Sequence, residues 1–157
     1  MLSLECRGTL DFDDGVDKSA LLAHLAKHLQ EVKAREVTIS CDRCTFGGGF
    51  FRGVNNWNIL IPFGRGELIV NGTKHAVRYR LSVRQLVYTA TIMIAFVSME
   101  SWSDIRHDPA ILFLLAIGWF LLIGGNLMVG LPRFRRFLRD AVDTVPTGKQ
   151  SKLLEEI

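Results

Sequence analysis

Residues Ala110–Leu131, AILFLLAIGWFLLIGGNLMVGL, run for 22 positions without a charged side chain. At about 1.5 Å rise per residue such a run builds a helix of roughly 33 Å, enough to cross a hydrocarbon core of about 30 Å. A soluble helix of that length presents a polar face, and this one has none. The run therefore predicts a membrane span, and the rest of the chain has to be placed relative to a bilayer.

A second span is expected just before it. Leu86–Met99 is uncharged but only 14 residues long. Extending it back to Leu81 gives about 28 Å of helix, with Arg84 near enough to the end to snorkel. Residues 82–131 thus read as a transmembrane hairpin with spans at about 82–99 and 110–131. Residues 100–109 are too short for a domain and form the connecting loop.

Charge then orients the hairpin. Residues 73–84 carry Lys74, Arg78, Arg80 and Arg84 with no acid, and Arg133, Arg135, Arg136 and Arg139 follow the second span. The connecting loop has Glu100, Asp104 and Asp108 against Arg106 alone. Basic residues beside spans stay on the cytoplasmic side, so the expectation is a two-span protein of the cell (inner) membrane with both termini cytoplasmic. The formal net charge of +3 is too small to argue for nucleic acid, and most of the basic excess lies beside the spans, where anionic headgroups are the natural partner. The first residues lack a basic stretch leading into an apolar run, so no secretory signal is read there. Three cysteines, Cys6, Cys41 and Cys44, do not make a disulfide framework, and on the cytoplasmic side they are reduced thiols.

Residues 1–81 read as a small α+β domain, one helix on an antiparallel sheet of four to six strands. Leu2–Leu10 alternates Leu2, Leu4, Cys6, Gly8, Leu10 against polar residues, the two-residue period of a half-buried strand. Asp11, Asp13, Asp14 and Gly15 form a turn; they lack the closing glutamate of a calcium loop. Asp17 is the expected N-cap of a helix running to about Lys33, with Val16 and Leu21 as a hydrophobic staple and Leu21, Leu22, Leu25, Leu29 and Val32 as its apolar stripe. Val37–Cys41 is a further strand, turning at Asp42-Arg43 into Cys44-Thr45-Phe46. Gly47-Gly48-Gly49 lacks the lysine of a phosphate loop and reads as a bulge or bend. Phe50, Phe51 and Trp57 make an aromatic cluster, read as core or sheet rim, with the membrane surface as its alternative location. Asn58–Phe63 is expected to be a short strand. Asn71-Gly72 between the alternating runs 67–70 and 74–81 is the strongest signal for a two-residue hairpin turn, with Val77, Tyr79 and Leu81 facing one way and Arg78 and Arg80 the other.

Beyond the spans, residues 132–143 are expected to form an amphipathic helix opening at Pro132. Phe134, Phe137, Leu138, Ala141 and Val142 fall on one face, with Arg133, Arg135, Arg136 and Arg139 mostly on the other. A basic amphipathic helix at the membrane exit suits the interface plane, so Arg133, Arg135, Arg136, Arg139, Phe134 and Phe137 are the expected lipid contacts; docking on the protein's own domain is the alternative. Residues 144–157 form a flexible tail whose apolar-acidic end, KLLEEI, offers a partner contact.

Two sets of residues invite chemistry. Cys41 and Cys44 share a CxxC spacing, and His24 and His28 are one helical turn apart, so a metal could in principle be held among the four. The glutamate of an HExxH motif is absent and the setting of the CxxC suits a hairpin, so neither metal nor cofactor is expected. Within the second span, Gly124, Gly125 and Asn126 are expected to pack helix on helix: small residues allow close approach, and an asparagine in lipid seeks a partner, here Thr89, Thr91 or a second copy. No catalytic constellation appears, so the expected function is non-enzymatic: a scaffold or assembly subunit presenting a cytoplasmic interaction module to a protein partner or its own copies. The alternatives are a component of an oligomeric channel or transporter and, more remotely, a metal-dependent sensor or enzyme at the membrane surface.

Overall fold

The computed structural model describes residues 4–13, 16–48, 59–100, 108 and 110–145. The elements run β1 (Glu5–Asp11), α1 (Lys18–Glu31), β2 (Arg35–Ser40), β3 (Arg43–Gly47), β4 (Arg65–Asn71), β5 (Ala76–Ser82), α2 (Arg84–Glu100) and α3 (Ala110–Asp143). The strands form one antiparallel sheet in the order β1-β5-β4-β3-β2, so α1 carries the chain from one sheet edge to the other. The fold is α+β.

Local signals account for most elements. Asp17 caps α1, its carboxylate accepting the Ala20 amide at 3.0 Å, and Leu21, Leu22, Leu25, Ala26 and Leu29 are buried. In β5, Val77, Tyr79 and Leu81 are buried while Arg78 and Arg80 are exposed, as the two-residue period requires. Two aromatic rings cover glycines paired across the sheet: Tyr79 lies over Gly8 and Phe46 over Gly66. A Cβ at either glycine would collide with the ring.

Three expectations are corrected. The β4–β5 hairpin exists, but Asn71 pairs with Ala76, leaving a four-residue loop instead of a two-residue Asn-Gly turn. The Asn71 side chain accepts the amides of Thr73 and Lys74 at 3.1 and 3.2 Å, and His75 takes a positive φ of 44° to rejoin the strand. An Asn can thus shape a longer loop as readily as a tight one. The β2–β3 turn lies at Cys41-Asp42, one residue early, because Ser40 pairs with Arg43 and Cys41 adopts φ 48°. Residues 59–62 are turns, with the Phe63 amide bonded to the Leu60 carbonyl at 3.2 Å; they bury Leu60, Ile61 and Phe63 without joining the sheet.

The largest correction concerns residues 132–143. They are not a separate helix but the last third of α3, which runs unbroken for 34 residues, about 51 Å, with Pro132 inside it. Its final turns lie on the inner face of the sheet beside α1. Phe134, Leu138, Ala141 and Val142 join one core cluster with Leu21, Leu25, Leu29, Cys44, Phe46, Leu68, Val77 and Tyr79. Among the described residues two helices, α1 and the end of α3, cover the sheet, not one.

The predicted aromatic cluster Phe50, Phe51 and Trp57 lies outside the described residues, as do the turn at Asp14-Gly15, most of the 100–109 loop and the tail from Pro146.

Candidate functional site

The feature that sets this molecule apart is the junction between its folded core and its apolar helices. α3 divides at Gly130. From Ala110 to Val129 none of its residues is buried, and Leu112, Phe113, Leu114, Phe120, Leu121 and Met128 are more than half exposed. From Gly130 onward its inward face belongs to the core. The exposed portion is about 30 Å long, the thickness of a hydrocarbon core. Among the described helices, α3 alone is long and apolar enough to cross a membrane by length and composition, and its most apolar window is 0% buried. A soluble core helix of similar composition would be covered by its own chain; this one is not.

α2 runs beside it. It starts directly after β5, with Val83 as the only intervening residue, and Tyr88, Ile92, Met93, Phe96 and Met99 stand exposed along it. It spans 17 residues, about 25 Å. The two helices touch along their facing sides, where the Trp119 indole donates to Thr91 Oγ1 at 3.1 Å and Thr91 in turn donates to the Val87 carbonyl at 2.8 Å. Between them they expose a run of large apolar side chains, Tyr88, Ile92, Met93, Phe96 and Met99 on α2 and Leu112, Phe113, Leu114, Phe120, Leu121 and Met128 on α3.

The residues expected to pack helix on helix do something else within one chain. Asn126 donates to its own helix, to the Leu122 carbonyl at 2.7 Å, and Thr91 serves Trp119 instead. A Cβ built at Gly118, Gly124 or Gly125 meets nothing within 4 Å. Gly118 and Gly125 lie two turns apart on one side of α3, and Gly124 lies about 100° round from Gly125.

The expected lipid contacts separate into two groups. Phe134 is fully buried, with ring centroids 5.7 Å from Phe63, 5.7 Å from Tyr79 and 6.1 Å from Phe46. It is a core residue, not a lipid contact, because the inner face of the sheet lies where its stripe points. Phe137 packs partly against the same core, 6.4 Å from the His28 ring. The arginines stay outside. Arg135, Arg136 and Arg139 are exposed and line a shallow cleft of about 240 Å³ with Leu131 and Pro132. Arg135 also reaches back to the domain, its Nε donating to the Tyr79 hydroxyl at 2.6 Å. Sequence reasoning missed this tie, since nothing local marks Tyr79 as a partner for a residue 56 positions away.

The cysteines and histidines do not assemble. Cys41 is exposed at the β2–β3 turn, whereas Cys44 is fully buried, and burial pushes its thiol up to about 11. Burial also raises the Cys6 thiol, against a smaller opposing effect of Arg135. His24 and His28 do meet, Nε2 to Nε2 at 3.0 Å, and are further engaged by Thr144 Oγ1 at 3.2 Å and Glu31 at 3.0 Å respectively. Desolvation holds the His24 imidazole below its ordinary value, with the charges of His28 and Lys27 adding to the effect. Among the described residues no group of three His, Cys, Asp or Glu side chains is placed to hold a metal ion.

Comparison of the chain with protein-family models, with curated proteins and with solved structures finds no match.

Proposed function

We propose that this chain is an integral membrane protein of the cell membrane that presents its α+β domain on the cytoplasmic side. In this reading α2 and α3 form a two-span hairpin and both termini are cytoplasmic. It acts as a non-enzymatic scaffold or assembly subunit for a protein partner. The observation that carries the proposal is the division of α3 at Gly130: one continuous helix has no buried residue over a bilayer's thickness and then becomes core. Only Val83 separates α2 from β5, so in this reading the domain is held to the bilayer at two closely tied points. That double attachment suits a module that offers a fixed surface to a neighbour. Arg135, Arg136 and Arg139 would lie at the headgroup level beside the emerging helix, each worth on the order of 1 kcal/mol against an anionic leaflet.

Cys41 supplies the test. It is the exposed native cysteine, so a membrane-impermeant maleimide should label it in inside-out vesicles and spare it in right-side-out ones, with Ser103→Cys giving the opposite pattern. Labelling of Cys41 from the outside overturns the orientation, and extraction of the chain by alkaline carbonate overturns the integral placement. Crosslinking in native membranes followed by mass spectrometry then identifies the neighbour.

A second reading is favoured by Gly118 and Gly125, which lie two turns apart on one side of α3 and where an added Cβ meets nothing. Small residues uncovered on an apolar helix suit close packing against a second copy, as in an oligomeric channel or transporter component. Under that reading Gly125→Leu abolishes a detergent-stable oligomer; under the first it leaves the detergent-corrected mass unchanged.

A further inference from the structure

On the sheet's outer side, where β4 begins and β5 hands over to α2, an open cleft of about 830 Å³ runs from the domain onto the apolar helix. Its chemistry changes along its length. Arg65 on β4 and Arg84 at the start of α2 stand at the domain end, with Ser82 and Gln85 beside them; Tyr88, Ile92 and Met93 line the other end. Among the described residues no carboxylate lines it.

The two arginines are uncommitted. Arg65 also borders a neighbouring cleft on the same side, where Glu5, Glu36 and Glu67 stand; of these, Glu5 accepts from Arg7 at 2.8 Å and Glu67 pairs with Arg43 at 2.6 Å. Among the described residues neither Arg65 nor Arg84 has an ion pair or a side-chain hydrogen bond, and both are exposed. A cationic end that passes into an apolar trough is complementary to an amphiphile with an anionic head. Guanidinium forks match phosphate oxygens in geometry and charge, and Tyr88, 64% exposed, and Ile92, 69% exposed, offer an acyl chain a continuous apolar path.

We propose that this cleft binds one anionic phospholipid, its phosphate held between Arg65 and Arg84 and one acyl chain lying along Tyr88, Ile92 and Met93. The site is distinct from the cleft lined by Arg135, Arg136 and Arg139 on α3. It rests on the membrane placement proposed above, and it adds a specific ligand to what would otherwise be a general electrostatic attraction. A bound lipid here ties β4, which belongs only to the domain, to α2, which belongs to the bilayer.

The test is native mass spectrometry of the full chain in detergent, titrated in parallel with dioleoylphosphatidylglycerol, dioleoylphosphatidylcholine and inorganic phosphate. The expected result is retention of phosphatidylglycerol over phosphatidylcholine, weakened about thirtyfold in Arg65→Ala/Arg84→Ala, since each cation near an anionic headgroup contributes about fivefold. Arg65→Lys/Arg84→Lys, which keep the charge but lose the guanidinium fork, should bind between the parent and the alanine variant, and Arg136→Ala/Arg139→Ala should leave this bound lipid in place. Both arginines are exposed, so the alanine variants are expected to melt with the parent. Equal retention of the two lipids, an unchanged affinity in the double alanine variant, or equal competition by inorganic phosphate overturns the proposal. So does a dimer that disappears in the same variant, which would assign the cleft to a second copy. Carbonate extraction of the same chain separates the two failures. A chain that stays in the membrane without lipid discrimination refutes the cleft alone, and a chain that is extracted refutes the membrane placement.

Discussion

Gly130 lies directly against Pro62: a Cβ at position 130 would stand 2.6 Å from the proline Cγ and 3.4 Å from its Cβ. This contact joins the turn at residues 59–62 to α3 at the level where its exposed apolar stretch ends and its buried face begins. A proline ring cannot swing aside as a long side chain can, so Gly130→Ala must push the turn off the helix. Overpacking of this kind costs typically 1–3 kcal/mol. The expected outcome is a lower thermal midpoint for the domain in detergent, with Gly125→Ala, whose Cβ meets nothing, as the neutral comparison. Equal midpoints for the two variants would mean that Pro62 is not seated on α3.

The fate of Phe134 separates a helix lying on lipid from a helix lying in the core. It is ringed by Phe46, Phe63 and Tyr79 and has no exposed surface. Truncating a phenylalanine in such a site removes its transfer energy and leaves a cavity, together about 3–5 kcal/mol. Phe134→Ala is therefore expected to unfold or nearly unfold the domain, read as rapid proteolysis of residues 4–48 in detergent. Phe120→Ala, at a ring that is 69% exposed, should leave domain proteolysis unchanged. If both variants resist protease equally, the core position assigned to Phe134 is wrong.

These two positions also show what can be read from a sequence of this kind. The stripe Phe134, Phe137, Leu138, Ala141, Val142 is legible as one helical face, and so is the apolar run before it. What covers a stripe is a tertiary fact: lipid and a sheet face make the same demand on composition. Pro132 compounds the difficulty, because a proline reads locally as a helix start even where it lies inside a continuous helix. By contrast, the Asp17 cap, the α1 stripe and the alternation in β5 depend only on neighbours in the chain, and the folded domain agrees with them. The Arg65–Arg84 cleft had no local signal at all. It forms because β4 and β5 pair Arg65 with Ser82, two residues before α2 begins.

The cysteines yield a prediction that follows from burial alone. Cys41 is exposed, while Cys44 is fully buried with its thiol pushed up to about 11. Only the thiolate reacts, so in the folded protein at neutral pH a maleimide should modify Cys41 rapidly and Cys44 only after denaturation. Mass spectrometry of the labelled peptides distinguishes the two sites. Comparable labelling at Cys44 under native conditions would show that β3 opens readily from the sheet.

The histidine pair couples the domain's stability to pH. His24 and His28 are 3.0 Å apart at their Nε2 atoms, so one ring donates and the other accepts, and the accepting ring must be neutral. Facing them are Phe137 from α3 and Thr144 just after it, with Lys27 and Glu31 on their own helix. Desolvation, then the charge of His28, lowers the His24 imidazole below its value in an unfolded chain. Between the two values the unfolded chain binds more protons than the folded one, so stability rises with pH across that window. The contribution is fully present above the ordinary imidazole value of about 6.5 and is lost as pH falls through the lower, folded value. The thermal midpoint should therefore fall on acidification from about pH 7.5 to about pH 5.5, and His24→Gln, which cannot titrate, should flatten that dependence. Thr144→Val removes the hydroxyl next to His24 without adding a charge and should keep the dependence. A His24→Gln protein whose midpoint still falls as steeply would place the titrating group elsewhere.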